Sequence, residues 1–212
     1  MNSELQELKI AVLGAGSIGS SVGVDLTDAG LDVTIIDQWP AHVEAMKTSG
    51  LDITMPDRHL EIPVTAWHLC ELAEHVPAFD FVFLCAKSHD THWLAQLIEP
   101  YLKEDGVFIG LQNGMNNETI AGVVGPERTI GAVVELSAEI FTPGIVKRDT
   151  KREGTWFGLG ELDGSVTPRL DRARKIMENV AKINITENIE GAKWTKLICN
   201  TMTMGPIGLT GL

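Results

Sequence analysis

"KIAVLGAGSIGSSVGVDLTDAGLDVTIID", residues 9–37, decides how the rest of the chain is read. Residues 9–14 and 32–37 are short apolar runs of strand type, and the stretch from about 17 to 29 between them has helical character. Gly14-Ala15-Gly16-Ser17-Ile18-Gly19 is G-x-G-x-x-G placed where the first strand gives way to the helix. In such a turn Gly14 permits the tight bend, Gly16 lets the backbone approach a pyrophosphate, and Gly19 lets the helix pack on the strand. The free N–H groups and positive dipole end of the helix then face the phosphates. Asp37 closes the second run, 23 residues after Gly14. A carboxylate there accepts hydrogen bonds from the ribose 2′-OH of NAD and repels the 2′-phosphate of NADP, and Gln38, Trp39 and Pro40 supply no arginine to offset that repulsion. The combination predicts a dinucleotide site that favours NAD. The alternatives are a glycine-rich turn without a ligand and an Asp37 that caps the helix in "PAHVEAM".

Outward from this unit the alternation continues. Helical character in residues 41–50, short β segments near 51–55 and 62–66, a buried strand at 79–86, a helix from about 90 to 102 and the strand "GVFIGLQ" follow in turn. A helix near 117–124 and the strand "TIGAVVEL" extend the series. Strands separated by helices at this spacing imply parallel βαβ units, hence an α/β fold with a Rossmann-type doubly wound parallel sheet. After residue 140 the pattern changes. "GIVKRDT" and "GTWFGLGEL" predict an antiparallel hairpin at one sheet edge, with "KRDTKR" (147–152) as a solvated turn, then a helix over about 167–181 and a closing strand "INIT". The expected division is a dinucleotide-binding domain over 1–188 and, from 189, the beginning of an all-helical substrate domain whose remainder is expected to lie outside this sequence.

Bulk properties exclude several classes. A net charge of −12 argues against a nucleic-acid surface, and the longest apolar runs are too short to span a bilayer. Cys70, Cys85 and Cys199 are odd in number and form no CxxC pair, which fits free thiols in a reducing, cytoplasmic setting. Neither hydrolase chemistry nor a metal centre is expected, since no serine elbow stands at a strand-to-helix turn and His89, Asp90 and His92 lack further ligands at matching spacing. Trp156 and Phe157 read as packing residues, with a homodimer interface as the alternative.

"GAKWTKLICN" (191–200) reads as a buried helix, yet it carries Lys196 with Asn200 four residues later. A lysine among Trp194, Leu197 and Ile198 needs a partner or a task. Lys87 ends the strand "FVFLCAK", and Asn113 ends "GVFIGLQN" within "LQNGMNNE". The C-terminal ends of strands in an open α/β sheet are where ligands bind, so both residues should face the cofactor crevice. The ordered set "GAGSIG", "CAK", "QNGM" and "KWTKLICN" resembles the ketopantoate reductases, also called 2-dehydropantoate 2-reductases, over the whole chain.

The resemblance implies an oxidoreductase that reduces 2-dehydropantoate to pantoate, the step feeding pantothenate and coenzyme A synthesis. It implies that Lys87 and Asn113 sit beside the cofactor, that Asn113 and Asn200 hold the substrate, and that Lys196 donates the proton. The chemistry agrees, because an ammonium stabilises and protonates the oxygen that gains charge when hydride reaches a carbonyl carbon. The alternatives are that Lys193 and Lys196 reach the surface as solvated charges and that Lys87 closes the sheet edge or pairs with Asp90. Two departures stand out. Met204 lies where the family commonly has a second substrate-contacting asparagine, and Asp37 points to NAD where the family commonly uses NADP. The rivals are another two-domain dehydrogenase of hydroxy acids or opines and a non-catalytic NAD-binding sensor.

Overall fold

The computed structural model describes residues 3–211. Its elements in chain order begin with α1 (Ser3–Gln6), β1 (Lys9–Leu13), α2 (Ser17–Asp28), β2 (Asp32–Asp37) and α3 (Pro40–Ser49). Next come β3 (Leu51–Thr54), β4 (His59–Ile62), β5 (Thr65–His68), α4 (Glu71–His75), β6 (Phe79–Leu84) and α5 (Thr91–Ile98). They continue with β7 (Leu102–Gly110), α6 (Asn117–Val124), β8 (Thr129–Glu135), β9 (Ala138–Thr142) and β10 (Ile145–Arg148). The chain finishes with β11 (Trp156–Glu161), α7 (Pro168–Met177), β12 (Lys182–Ile185) and α8 (Ile189–Thr210). No helix among the described residues is long and apolar enough to cross a membrane.

The main sheet has the order β12-β11-β8-β7-β6-β1-β2-β5. From β5 to β8 all neighbours are parallel, the doubly wound arrangement in which strand order reverses about β1. Alternate residues of each strand feed two separate cores. Ile10, Val12, Val33, Ile35, Phe81 and Phe83 join α2 and α7 on one face. Ala11, Leu13, Ile36, Val82, Leu84 and Phe108 join α5 and α6 on the other. Burial on both faces explains why these strands read as unbroken apolar runs.

The region after residue 135 departs from the expected hairpin. β10 pairs antiparallel with β9 and parallel with β3, in a second sheet of order β4-β3-β10-β9, whereas β11 pairs antiparallel with β8 in the main sheet. The "KRDTKR" run therefore carries the chain between two sheets: Lys147, Asp149 and Lys151 are exposed, as expected of a solvated loop, but Arg148 is not. Arg148 within it is almost fully buried: Nη1 donates to Asp25 of α2 at 2.5 Å, and Nη2 donates to Thr155 Oγ1 at 2.7 Å. Arg58 donates to the other Asp25 oxygen at 2.9 Å, so two guanidinium groups tie α2 to the second sheet and its approach. The two β segments expected at 51–55 and 62–66 are three strands, β3 to β5, because the chain turns back at Arg58 before joining the main sheet. The helix expected to reach 181 ends at Met177, with Val180 and Ala181 turned into the core.

Candidate functional site

The β1–α2 turn is shaped by close approaches. Gly14 has φ +95°, and a Cβ there would lie 2.7 Å from the Ala86 nitrogen, on the loop after β6. A Cβ on Gly19 would meet the Gly14 carbonyl oxygen at 1.9 Å, so only glycine lets α2 start where it does. Gly16 has no neighbour within 4 Å of a Cβ position and faces open space. No side chain caps the N-terminus of α2. Its leading amides are thus free to receive an anion, which fits a pyrophosphate beside Gly14, Ala15, Gly16, Ser17, Ile18 and Gly19.

Asp37 is buried at the end of β2, adjacent to β1. Its Oδ2 accepts from the Ala15 amide at 2.5 Å and its Oδ1 from the Trp39 amide at 2.7 Å. The carboxylate therefore fastens the glycine turn as well as the approach to α3, while still lining a cleft of about 160 Å³ with Gly14, Gly16, Gln38 and Lys87. Beneath it His42 is fully buried. The Gly144 amide can only donate, at 2.9 Å, so His42 Nδ1 accepts and Nε2 carries the proton toward Ser20 Oγ at 3.3 Å. Ser20 Oγ donates its own hydrogen bond to the Ala15 carbonyl at 2.8 Å. Burial pushes the His42 imidazole below its usual range, against the pull of Asp37, so this chain of bonds works in the neutral form.

A second cleft of about 560 Å³ shares Cys85, Ala86 and Lys87 with the first, and Lys87 stands exposed where the two meet. Its lining includes Ser17, Asn113, Glu135, Lys196, Asn200 and Met204. Lys196 Nζ pairs with Glu135 at the end of β8, and Asn200 Nδ2 donates to Asn113 Oδ1 at 3.3 Å. The Asn113 carbonyl accepts from Ser88 Oγ at 2.8 Å and Asn116 Nδ2 at 3.1 Å, which fixes the loop after β7. Gln112 donates through Nε2 to the Ala86 carbonyl at 2.8 Å, joining that loop to the one carrying Lys87. Burial raises the Cys85 thiol to about 12, so it lines both clefts as a protonated, apolar group.

The structure thus brings Lys87, Asn113, Lys196 and Asn200 to one cleft. It corrects the picture of their helix. Trp194 and Ile198 are more than half exposed, and the only buried residues of α8 among those described are Ile189 and Lys193. The lysine removed from water is Lys193, not Lys196. Its Nζ donates to the main-chain carbonyls of Ala132 at 2.9 Å and Gln112 at 3.3 Å. Burial lowers its pKa to about 8, with Glu190 opposing the shift. Sequence reasoning also passed over Glu135 and Gln112. The signal for Glu135 was an acid ending the apolar run of β8, at the same end of the sheet as Lys87 and Asn113.

The ketopantoate reductase PanE/ApbA family model matches residues 10–161. Curated relatives include the 2-dehydropantoate 2-reductase of Pyrococcus abyssi, 30% identical over 95% of this chain and 63% of that protein. The enzyme of the same name from Mesorhizobium japonicum is 29% identical over 96% of this chain and 68% of that protein. Among solved structures, 2-dehydropantoate 2-reductase from Geobacter metallireducens superposes with a TM-score of 0.82 at 27% identity, covering 91% of this chain and 62% of that one. A ternary structure of D-mandelate dehydrogenase with NADH and anilino(oxo)acetate gives 0.81 at 25% identity, covering 91% and 61%. The chain spans roughly two thirds of the length of these relatives. With its matched region extending over most of the sheet and both strand-end loops of the cleft, the chain belongs to the ketopantoate reductase PanE/ApbA family.

Proposed function

We propose that this chain carries the nicotinamide-dinucleotide site and the proton-donating helix of a reductase acting on 2-dehydropantoate or a closely related 2-oxo acid. The observation that carries the reading is the meeting of two clefts at Lys87, one lined by the glycine turn and Asp37, the other by Asn113, Lys196 and Asn200. A bound reduced nicotinamide supplies the hydride. Lys196 holds a proton at Nζ within reach of the shared cleft and delivers it to the oxygen that gains charge, while its ammonium stabilises that charge. Asn113 and Asn200, already hydrogen-bonded to each other, offer amide groups that orient the substrate. Glu135 keeps Lys196 directed at this cleft before substrate arrives, and a substrate carboxylate would compete with it for the ammonium.

Asp37 supports NAD as the preferred cofactor over NADP, since its charge stands where a 2′-phosphate would approach. The residues from 189 onward are read as the beginning of a helical substrate domain. The exposed Ile198, Met202 and Leu209 of α8, which share one side of the helix, offer that domain an apolar face. A second reading of the substrate rests on Met204, an apolar side chain lining the cleft where a second asparagine was expected. It favours a 2-oxo acid with a more apolar side chain, in keeping with the likeness to D-mandelate dehydrogenase.

The test is oxidation of NADH and of NADPH by the full-length protein with 2-dehydropantoate, phenylglyoxylate and pyruvate plus an amine. Turnover of 2-dehydropantoate carries the first reading and turnover of phenylglyoxylate the second. Dependence on the amine would move the enzyme to the opine class. Binding of dinucleotide with no turnover of any substrate would sink the reductase reading.

A further inference from the structure

Lys193 has no place in the chemistry described above, and it is an unusual residue to find where it lies. The β7–β8 ladder ends at the pair Gly110 and Gly131. Just beyond that point the Lys193 ammonium donates to the carbonyl of Ala132 on β8 and to that of Gln112, which follows β7. One cation thus clasps the two chain segments beyond the point where the ladder between them ends. Burying an ammonium is unfavourable unless it is paired or fully hydrogen-bonded, and here two neutral carbonyls do most of that work. The nearby charges are Glu190 on its own helix, Lys196 one turn on, and Glu135 of β8, which is engaged by Lys196.

The carbonyl of Gln112 belongs to the peptide that leads into Asn113. Gln112 is itself held by Ala86 and by Thr91, whose hydroxyl meets Gln112 Oε1 at 3.2 Å. Helix α8 therefore grips the Asn113 segment twice, at its main chain through Lys193 and at its side chain through Asn200. Between these two grips stands Lys196. Lys193 and Lys196 also line one small crevice together with Asn113 and Val134. Below this point Ile189 packs where Gly131 leaves space, since a Cβ on that glycine would lie 2.6 Å from the Ile189 side chain. Apart from Ile189, nothing else in α8 is buried among the described residues, so Lys193 is its main polar anchor to the sheet.

We infer that Lys193 is a positioning residue, whose contacts with the Gln112 and Ala132 carbonyls hold α8 so that Lys196, Asn113 and Asn200 share one geometry over the substrate. The inference rests on the reductase reading for its kinetic consequence and on the fold alone for its mechanical one. A methionine at 193 fills the same space and cannot donate. A glutamine donates to carbonyls without charge.

The experiment compares Lys193→Met and Lys193→Gln with wild type in the full-length protein, by amide hydrogen exchange and by steady-state kinetics. In Lys193→Met, the amides of residues 197–200 and 113–114 should exchange about tenfold faster or more, reporting a loosened helix and loop. The kcat should fall about tenfold or more while the dinucleotide KM stays within about twofold, because the glycine turn is untouched. Lys193→Gln should recover a large part of both losses. If Lys193→Met fails to bind dinucleotide, Lys193→Gln decides, with exchange and kcat expected between wild type and a tenfold loss. Exchange and kcat both matching wild type in the variant that folds would overturn the inference. If wild type reduces no 2-oxo acid, the reductase reading fails, and the exchange comparison alone decides whether Lys193 anchors the helix.

Discussion

The two halves of the cleft are built in opposite ways. The half read as the dinucleotide site is made of backbone: a turn in which Gly14 and Gly19 leave no room for side chains, an uncapped helix start, and a buried carboxylate that fastens the Ala15 amide. It is braced from below by His42 and, farther along α2, by Asp25 and Arg148. The other half is made of side chains on α8, a helix that buries two residues and holds Lys196 and Asn200 by single polar contacts. A site that must bind the same cofactor at every turnover profits from rigidity. Under the proposed function, a site that admits a substrate, moves a proton and releases a product profits from groups that can change partners.

The largest effect that could break this contrast lies in the second half. Lys196→Ala should lower kcat for 2-oxo acid reduction by about 10²–10⁴, the usual contribution of a positioned proton donor, with NADH affinity unchanged in a fluorescence titration. An unaltered kcat would leave α8 as a structural helix and remove its claim on the chemistry.

Lys193 supplies the next test, through pH. In the unfolded chain this lysine keeps its proton up to its ordinary 10.5, whereas in the folded protein it releases it near 8. Between those values the unfolded state binds more protons, so stability should rise with pH across that window and be insensitive to this group below it. A displacement of that size corresponds to about 3 kcal/mol. Urea melts at several pH values should show the rise in wild type and its loss in Lys193→Met. A wild-type profile that is flat from pH 8 upward would mean that the ammonium is better solvated than its two carbonyl contacts imply.

The glycines sharpen the first half. Gly19→Ala forces a methyl against the Gly14 carbonyl, and overpacking of this kind destabilises by about 1–3 kcal/mol. Gly16→Ala meets nothing within 4 Å, so its melting midpoint should match wild type while NADH binding weakens. Equal losses of stability in both variants would show that the turn tolerates or rejects side chains for some reason other than these approaches.

How much of this was legible in the sequence follows from the same contrast. The turn at 14–19 and Asp37 could be read because their constraints are local, a few residues of backbone with one spacing rule. The second sheet could not, because β10 pairs with β3 across more than ninety intervening residues and no local pattern announces a parallel partner at that range. Arg148 sat in a charge run that looked solvated, and only the arrival of Asp25 from α2 makes its burial possible. The lysines of α8 were confused for a related reason. "KWTK" places two identical side chains three residues apart, and which one is buried depends on the end of the β7–β8 ladder, which the sequence does not mark.

The smallest expected effect bears on the rigid half's choice of cofactor. Asp37→Asn keeps an oxygen for the Ala15 amide, gives up the acceptor of the Trp39 amide, and removes the negative charge that lines the cleft, so the glycine turn should hold while its cofactor preference changes. The ratio of NADH to NADPH affinity should move toward NADPH by about tenfold, close to 1.4 kcal/mol. Titration of both cofactors against wild type and variant measures this directly. If the ratio stays where it was and both affinities fall together, the carboxylate acts only as the fastening of the glycine turn. Cofactor choice would then have to come from Gln38, Trp39 or the Lys87 side of the cleft, and the backbone-built half would owe its selectivity to side chains after all.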